Sequence, residues 1–137
     1  MRKILFVIPS MRIGGAEKSL VNLLNLIDLN EYDVNLLMFK PEGDLLQQIP
    51  SGVHILETEP SLFYAYTKFY KALLPKLDSE YDVAIGYLEG DASYYVIDKV
   101  NAKRKILWVH SNFDNIKKNE DVSVYKEYFR EADKVVS

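Results

Sequence analysis

The chain has 137 residues, a formal net charge of −3, 48% apolar residues and no cysteine. That length suits one domain with a core of its own, and the composition is that of a globular chain. The missing cysteine excludes a disulfide scaffold, a thiol nucleophile and a thiolate metal site, and the acidic balance supplies no overall basic field for nucleic acid.

Met1-Arg2-Lys3-Ile4 has the basic end of a signal peptide. Its apolar stretch, 4–8, stops at Pro9, too short for a signal core or a membrane span. The expected setting is cytoplasmic and reducing. Residues 4–8 form the first of six short apolar runs; the others are 34–39, 53–56, 83–87, 106–109 and 134–136. Most are continuously apolar, the pattern of strands covered on both faces in a parallel sheet.

Helical spacing fills most of the gaps. Leu20, Leu23, Leu24 and Ile27 fall at i, i+3, i+4 and i+7, with Lys18, Asn22 and Asn25 on the other face. Residues 43–49 suit a short helix and 61–77 a longer one, with Ser61 as N-cap. Segments 92–100 and 123–132 complete the set, and the lysine-dotted stretch 110–121 reads as a loop. Alternating strands and helices predict an α/β fold: a Rossmann-like, doubly wound, mostly parallel sheet with helices on both faces. The sequence stops at Ser137 just after a strand-like run, which suggests one domain of a longer parent.

In such a sheet, ligands bind beyond the carboxyl ends of the strands, where the strand order reverses. Three segments are expected there: Ser10 to Ala16 after strand one, Tyr87-Leu88-Glu89-Gly90 after strand four and His110-Ser111-Asn112 after strand five. With order 3-2-1-4-5, strands one and four are neighbours, and the glycine loop and Glu89 flank the crevice. Gly14 and Gly15 lack a β-carbon, and Ala16 follows them into a helix whose first N–H groups are unpaired. The helix dipole adds about half a positive charge, so the loop suits phosphate or pyrophosphate. The other reading is a plain tight turn.

Several known phosphate motifs are excluded. The spacing is not G-x-G-x-x-G, and Phe39-Lys40 stands where a ribose-binding acid is expected. No G-K-[ST] follows the glycines, and no D-x-D pair is present to hold a divalent metal. The remaining candidates each have a structural alternative. His110 ends a strand, where its imidazole can serve chemistry or bond to nearby backbone. Glu89 can touch a ligand or favour the start of the next helix. His54 lies within a strand and reads as structural. The segment 61–77 carries Phe63, Tyr64, Tyr66, Phe69 and Tyr70 beside Lys68, Lys71 and Lys76. It reads as a core stripe with tyrosines at its margin, or as a peripheral surface for the inner membrane.

The stretches MRIGGAEKSLVNLL, YDVAIGYLEG and ILWVHSNF, in this order and spacing, resemble the N-terminal domain of family 4 retaining glycosyltransferases of the GT-B fold. The resemblance covers nearly the whole chain. It implies an acceptor-side domain facing a C-terminal domain that binds the nucleotide-sugar and carries an E-x7-E pattern. That second domain is absent from these 137 residues, so the chain alone is expected to be inactive. Carried over by position, Gly14, Gly15 and Ala16 approach the donor phosphate, and His110 sits by the transferred sugar as the catalytic candidate. Tyr87, Glu89, Ser111 and Asn112 fall on the acceptor side. Relatives with the Leu-Glu-Gly stretch often show His-Ser-Asp, whereas this chain has Asn112, which can neither accept nor release a proton as a carboxylate does.

The resemblance implies a nucleotide-sugar and a glycan or lipid-linked acceptor as partners, with no cofactor and no metal. It implies a role in making cell-surface polysaccharide. Two other classes fit the residues: a phosphate-binding Rossmann-like module of another enzyme, such as a sugar-nucleotide epimerase, and a non-catalytic interaction domain.

Overall fold

A computed structural model describes residues 1–57, 79–88, 91–110 and 131–136. Six strands form one parallel sheet in the order β3-β2-β1-β4-β5-β6. They are β1 Arg2–Ile8, β2 Tyr32–Met38, β3 His54–Glu57, β4 Glu80–Gly86, β5 Asn101–Trp108 and β6 Lys134–Val136. The helices among the described residues are α1 Gly15–Leu26 and α2 Asp91–Lys99, with a 3-10 helix at Asp44–Gln48. This is the α/β, Rossmann-like architecture expected from the alternating runs. The expected helix 61–77, and nearly all of 123–132, lie outside the described residues, as does 111–121.

The continuous apolar runs are explained by two cores. Successive side chains of a strand point to opposite faces. Leu5 and Val7 of β1 therefore join one cluster with Ala92, Val96 and Val100 from α2 and its end. Phe6 and Ile8 join the other, with Leu20, Val21 and Leu24 of α1. Each helix covers its own face, so the central strands have no solvent side to mark with polar residues. Leu20 and Leu24 are fully buried, and removing a Leu side chain of this kind from water contributes about 1.5–3 kcal/mol.

The strands begin earlier than their apolar runs. Arg2, Lys3, Glu80 and Asp82 lie within β1 and β4, and β5 starts with Asn101, Ala102, Lys103, Arg104 and Lys105. These polar starts share the amino edge of the sheet. There the Lys3 N–H donates to Asp82 at 2.7 Å and Lys103 pairs with Asp82 at 3.3 Å. Polar side chains are satisfied at a solvated strand end, so they need not be apolar. Among the described residues, no helix is long and apolar enough to cross a membrane.

Candidate functional site

The parallel register sets the geometry of the opposite, carboxyl edge. Val7 of β1 pairs with Gly86 of β4, and Gly86 pairs with Leu107 of β5. Ile8, Tyr87 and Trp108 therefore leave the three central strands at one level. β1 and β4 adjoin, with the chain running outward through β2 and β3 on one side and through β5 and β6 on the other. The strand-order reversal expected from the order 3-2-1-4-5 is present, with the glycine loop and His110 at its rim; Tyr87, expected on the acceptor side, follows β4 there with its side chain buried. Glu89, Ser111 and Asn112 lie outside the described residues.

The glycine loop is braced from the side. The Met11 N–H donates to the Glu42 carbonyl at 2.8 Å, and the Leu45 N–H donates to the Met11 carbonyl at 3.1 Å. The Lys40 N–H donates to the Pro9 carbonyl at 2.9 Å. This bracing depends on Gly43, whose φ of 125° is sterically unfavourable for other residues. A β-carbon there would also overlap the Met11 backbone. Above this junction Arg12 and Lys40 share the Glu42 carboxylate, with Arg12 Nε at 3.0 Å and Lys40 Nζ at 3.3 Å. The Arg12 guanidinium, assisted by Lys40, holds the Glu42 carboxyl below its ordinary range.

Gly14 and Gly15 behave differently from Gly43. Gly14 is the N-cap of α1 in an extended conformation (φ −170°, ψ 167°), and Gly15 is the first helical residue. Neither has a positive φ, so the backbone conformation requires glycine at neither position. A β-carbon on Gly15 would meet none of the described residues within 4 Å. On Gly14 its nearest neighbours would be the atoms of the Glu17 carboxylate, the end of a flexible side chain. Among the described residues no side chain caps the helix. Among the described residues nothing accepts from the N–H groups of Gly15, Ala16 or Glu17. The helix therefore presents open donors and the positive end of its dipole at the rim, with Glu17 as the acidic residue of its first turn.

Beside the helix lies an aromatic cluster. Tyr87 is buried, at 1% exposure, with its ring edge-on to Phe6 at 6.1 Å and tilted against Trp108 at 5.0 Å. His110 is exposed to solvent at the top of the cluster. Its ring lies 4.7 Å from Tyr87 and parallel to Trp108, 5.9 Å away with 7° between the planes. Each such ring pair contributes about 0.5–1.5 kcal/mol beyond its buried area. The Tyr87 hydroxyl is 2.7 Å from Ser19 Oγ on α1.

The structure thus gathers Gly14, Gly15, Ala16, Tyr87 and His110 at one edge. His54 opens β3 at the amino edge, with Nε2 3.5 Å from Asp33 Oδ1, away from the site. Sequence reading missed Arg12, Ser19, Lys40 and Trp108 as rim residues. Trp108 was within reach, since residues two apart leave a strand on the same side and His110 was already singled out. Ser19 and Tyr87 are 68 positions apart and meet only through the fold. Among the described residues, no group of three or more His, Asp or Glu side chains is arranged to hold a metal ion. No protein-family model matches the sequence, and no curated protein is significantly similar to it.

Proposed function

We propose that this chain is the acceptor-side domain of a glycosyltransferase that moves a sugar from a nucleotide-sugar to a glycan or lipid-linked acceptor. The observation that carries the reading is the glycine pair. The fold uses Gly43 for its own geometry but makes no such demand at Gly14 or Gly15, which sit at the strand-order reversal beside helix N–H groups that no described residue accepts from. Absent β-carbons at such a point serve close approach from outside, and the dipole selects an anion. A nucleotide-sugar carries that anion as its diphosphate.

In this reading the bond from the anomeric carbon to the diphosphate oxygen breaks while the acceptor hydroxyl oxygen attacks, its proton passing to the departing phosphate oxygen. Negative charge grows on the diphosphate, and fixed N–H donors aimed at it stabilise the transition state. Glu17 must swing away from Gly14 when the diphosphate arrives. His110, on the same rim, hydrogen-bonds the sugar or lends positive charge beside it. A second Rossmann-like domain with the E-x7-E pattern supplies the rest of the donor site.

The test is a transfer assay in the whole protein with His110→Ala. Loss of turnover from a nucleotide-sugar supports the reading, and unchanged turnover removes His110 from it. One observation favours a second reading, a dinucleotide-binding module: Glu42 follows β2 closely, near where a ribose-binding acid belongs. Arg12 and Lys40 already occupy that carboxylate. Calorimetry with UDP against NAD(P) separates the two.

A further inference from the structure

We infer that Tyr87 is a positioning residue, joining α1 to the His110 imidazole through Ser19. The inference rests on the proposed function for what His110 does, but its geometry stands apart from that function. Tyr87 is too deeply buried to be a ligand-contacting residue of the rim. What it touches is the catalytic candidate on one side and the glycine helix on the other.

The link has three parts. Ser19 lies one helical turn beyond Gly15, about 6 Å along the axis. Its hydroxyl meets the Tyr87 hydroxyl at 2.7 Å. The Tyr87 N–H donates to the Val7 carbonyl at 2.9 Å, which fixes the residue's backbone to the central strand. The ring then has Phe6 and Trp108 as walls and His110 above. A phenol pinned at its backbone and at its hydroxyl has few ways to tilt, and the imidazole lying tilted against it at 45° inherits that restriction. Movement of the first turn of α1, such as displacement of Glu17 by a ligand, reaches His110 through the Ser19–Tyr87 bond. The ends of the link are the two groups that the proposed reaction must coordinate.

Trp108 is the only tryptophan and His110 one of two histidines, so the stack reports on itself. The experiment uses the 137-residue chain and needs no sugar. The His110 Cε1–H and Cδ2–H resonances are recorded, with His54→Gln for assignment, alongside Trp108 emission. Ring currents from Trp108 and Tyr87 displace the His110 protons from their free-imidazole positions in the wild type. Losing one hydrogen bond shifts the ratio of held to released rings roughly fivefold. Ser19→Ala and Tyr87→Phe should therefore both move the His110 resonances toward free imidazole and change Trp108 emission. Ser19→Thr, which keeps the hydroxyl, should restore them.

Thermal melts of each variant confirm folding, and Tyr87→Phe keeps the ring and its packing. Wild-type resonances and emission in folded Ser19→Ala and Tyr87→Phe would overturn the link. So would failure of Ser19→Thr to restore the wild-type signals. Neither result bears on sugar transfer, which the His110→Ala assay decides separately.

Discussion

Replacing Gly43 with alanine should cost more stability than any other single methyl added to the glycine loops. The backbone there has φ 125° and ψ 156°, a region essentially reserved for glycine, and holding another residue in it costs about 1–3 kcal/mol. The new β-carbon also collides with the carbonyl carbon and oxygen of Met11 and with the nitrogen of Arg12. Those atoms are backbone and cannot rotate away. Relief must come from parting the two loops, which breaks the Met11–Glu42 and Leu45–Met11 hydrogen bonds, each worth about 1 kcal/mol net. The expected loss is about 3–5 kcal/mol. With a urea slope of about 2 kcal/mol per molar, the unfolding midpoint falls by about 2 M. Urea titrations followed by far-ultraviolet circular dichroism measure it directly. A shift below about 0.5 kcal/mol, the range of ordinary surface substitutions, would refute the claim that Gly43 sets the loop junction.

Gly15→Ala should do the opposite: with open space around it and a helical backbone, it should raise stability by about 0.4–1 kcal/mol while weakening UDP binding measured by calorimetry. Leu24→Ala removes a fully buried side chain between α1 and the sheet and should cost about 2–5 kcal/mol in the same urea titration. Burial pushes the Tyr95 phenol up to about 12 from 10.0, and Tyr81 is raised by the same cause. The unfolded phenol therefore ionises first, so stability should hold up to about pH 10 and fall from there toward about pH 12. Tyr95→Phe should flatten that fall in denaturant midpoints measured across the window, and an unchanged slope would contradict the assignment.

How much of this was legible in the sequence follows from where each residue's partners lie. Residues 4–8 and 34–39 could be read as central strands because both faces are covered and every position but Asn35 is apolar. The polar starts of β4 and β5, Glu80 to Asp82 and Asn101 to Lys105, carry no such pattern. All of them but the buried Tyr81 are exposed or half-buried, and Asp82 accepts from Lys3 of the neighbouring strand. Val21 escaped the helical spacing of Leu20, Leu24 and Ile27, yet α1 buries it. At the site, strand order alone was enough to bring the glycine pair and His110 to one edge. The burial of Tyr87, its bond to Ser19 and the seating of Arg12 on Glu42 all depend on long-range packing, which periodicity does not encode. Gly43 looked like the start of a short helix, and its positive φ became visible only once Met11 lay against it.

The central claim is that the rim formed by Gly14, Gly15, Ala16 and His110 receives a diphosphate. Backbone amide shifts of the 137-residue chain, titrated with UDP to roughly 10 mM to capture weak binding, test it most directly. The largest changes should fall on Gly14, Gly15 and Ala16, with the His110 ring protons moving in step. Changes centred on Asp33, His54 and Lys103 at the amino edge, or none at all, would contradict it.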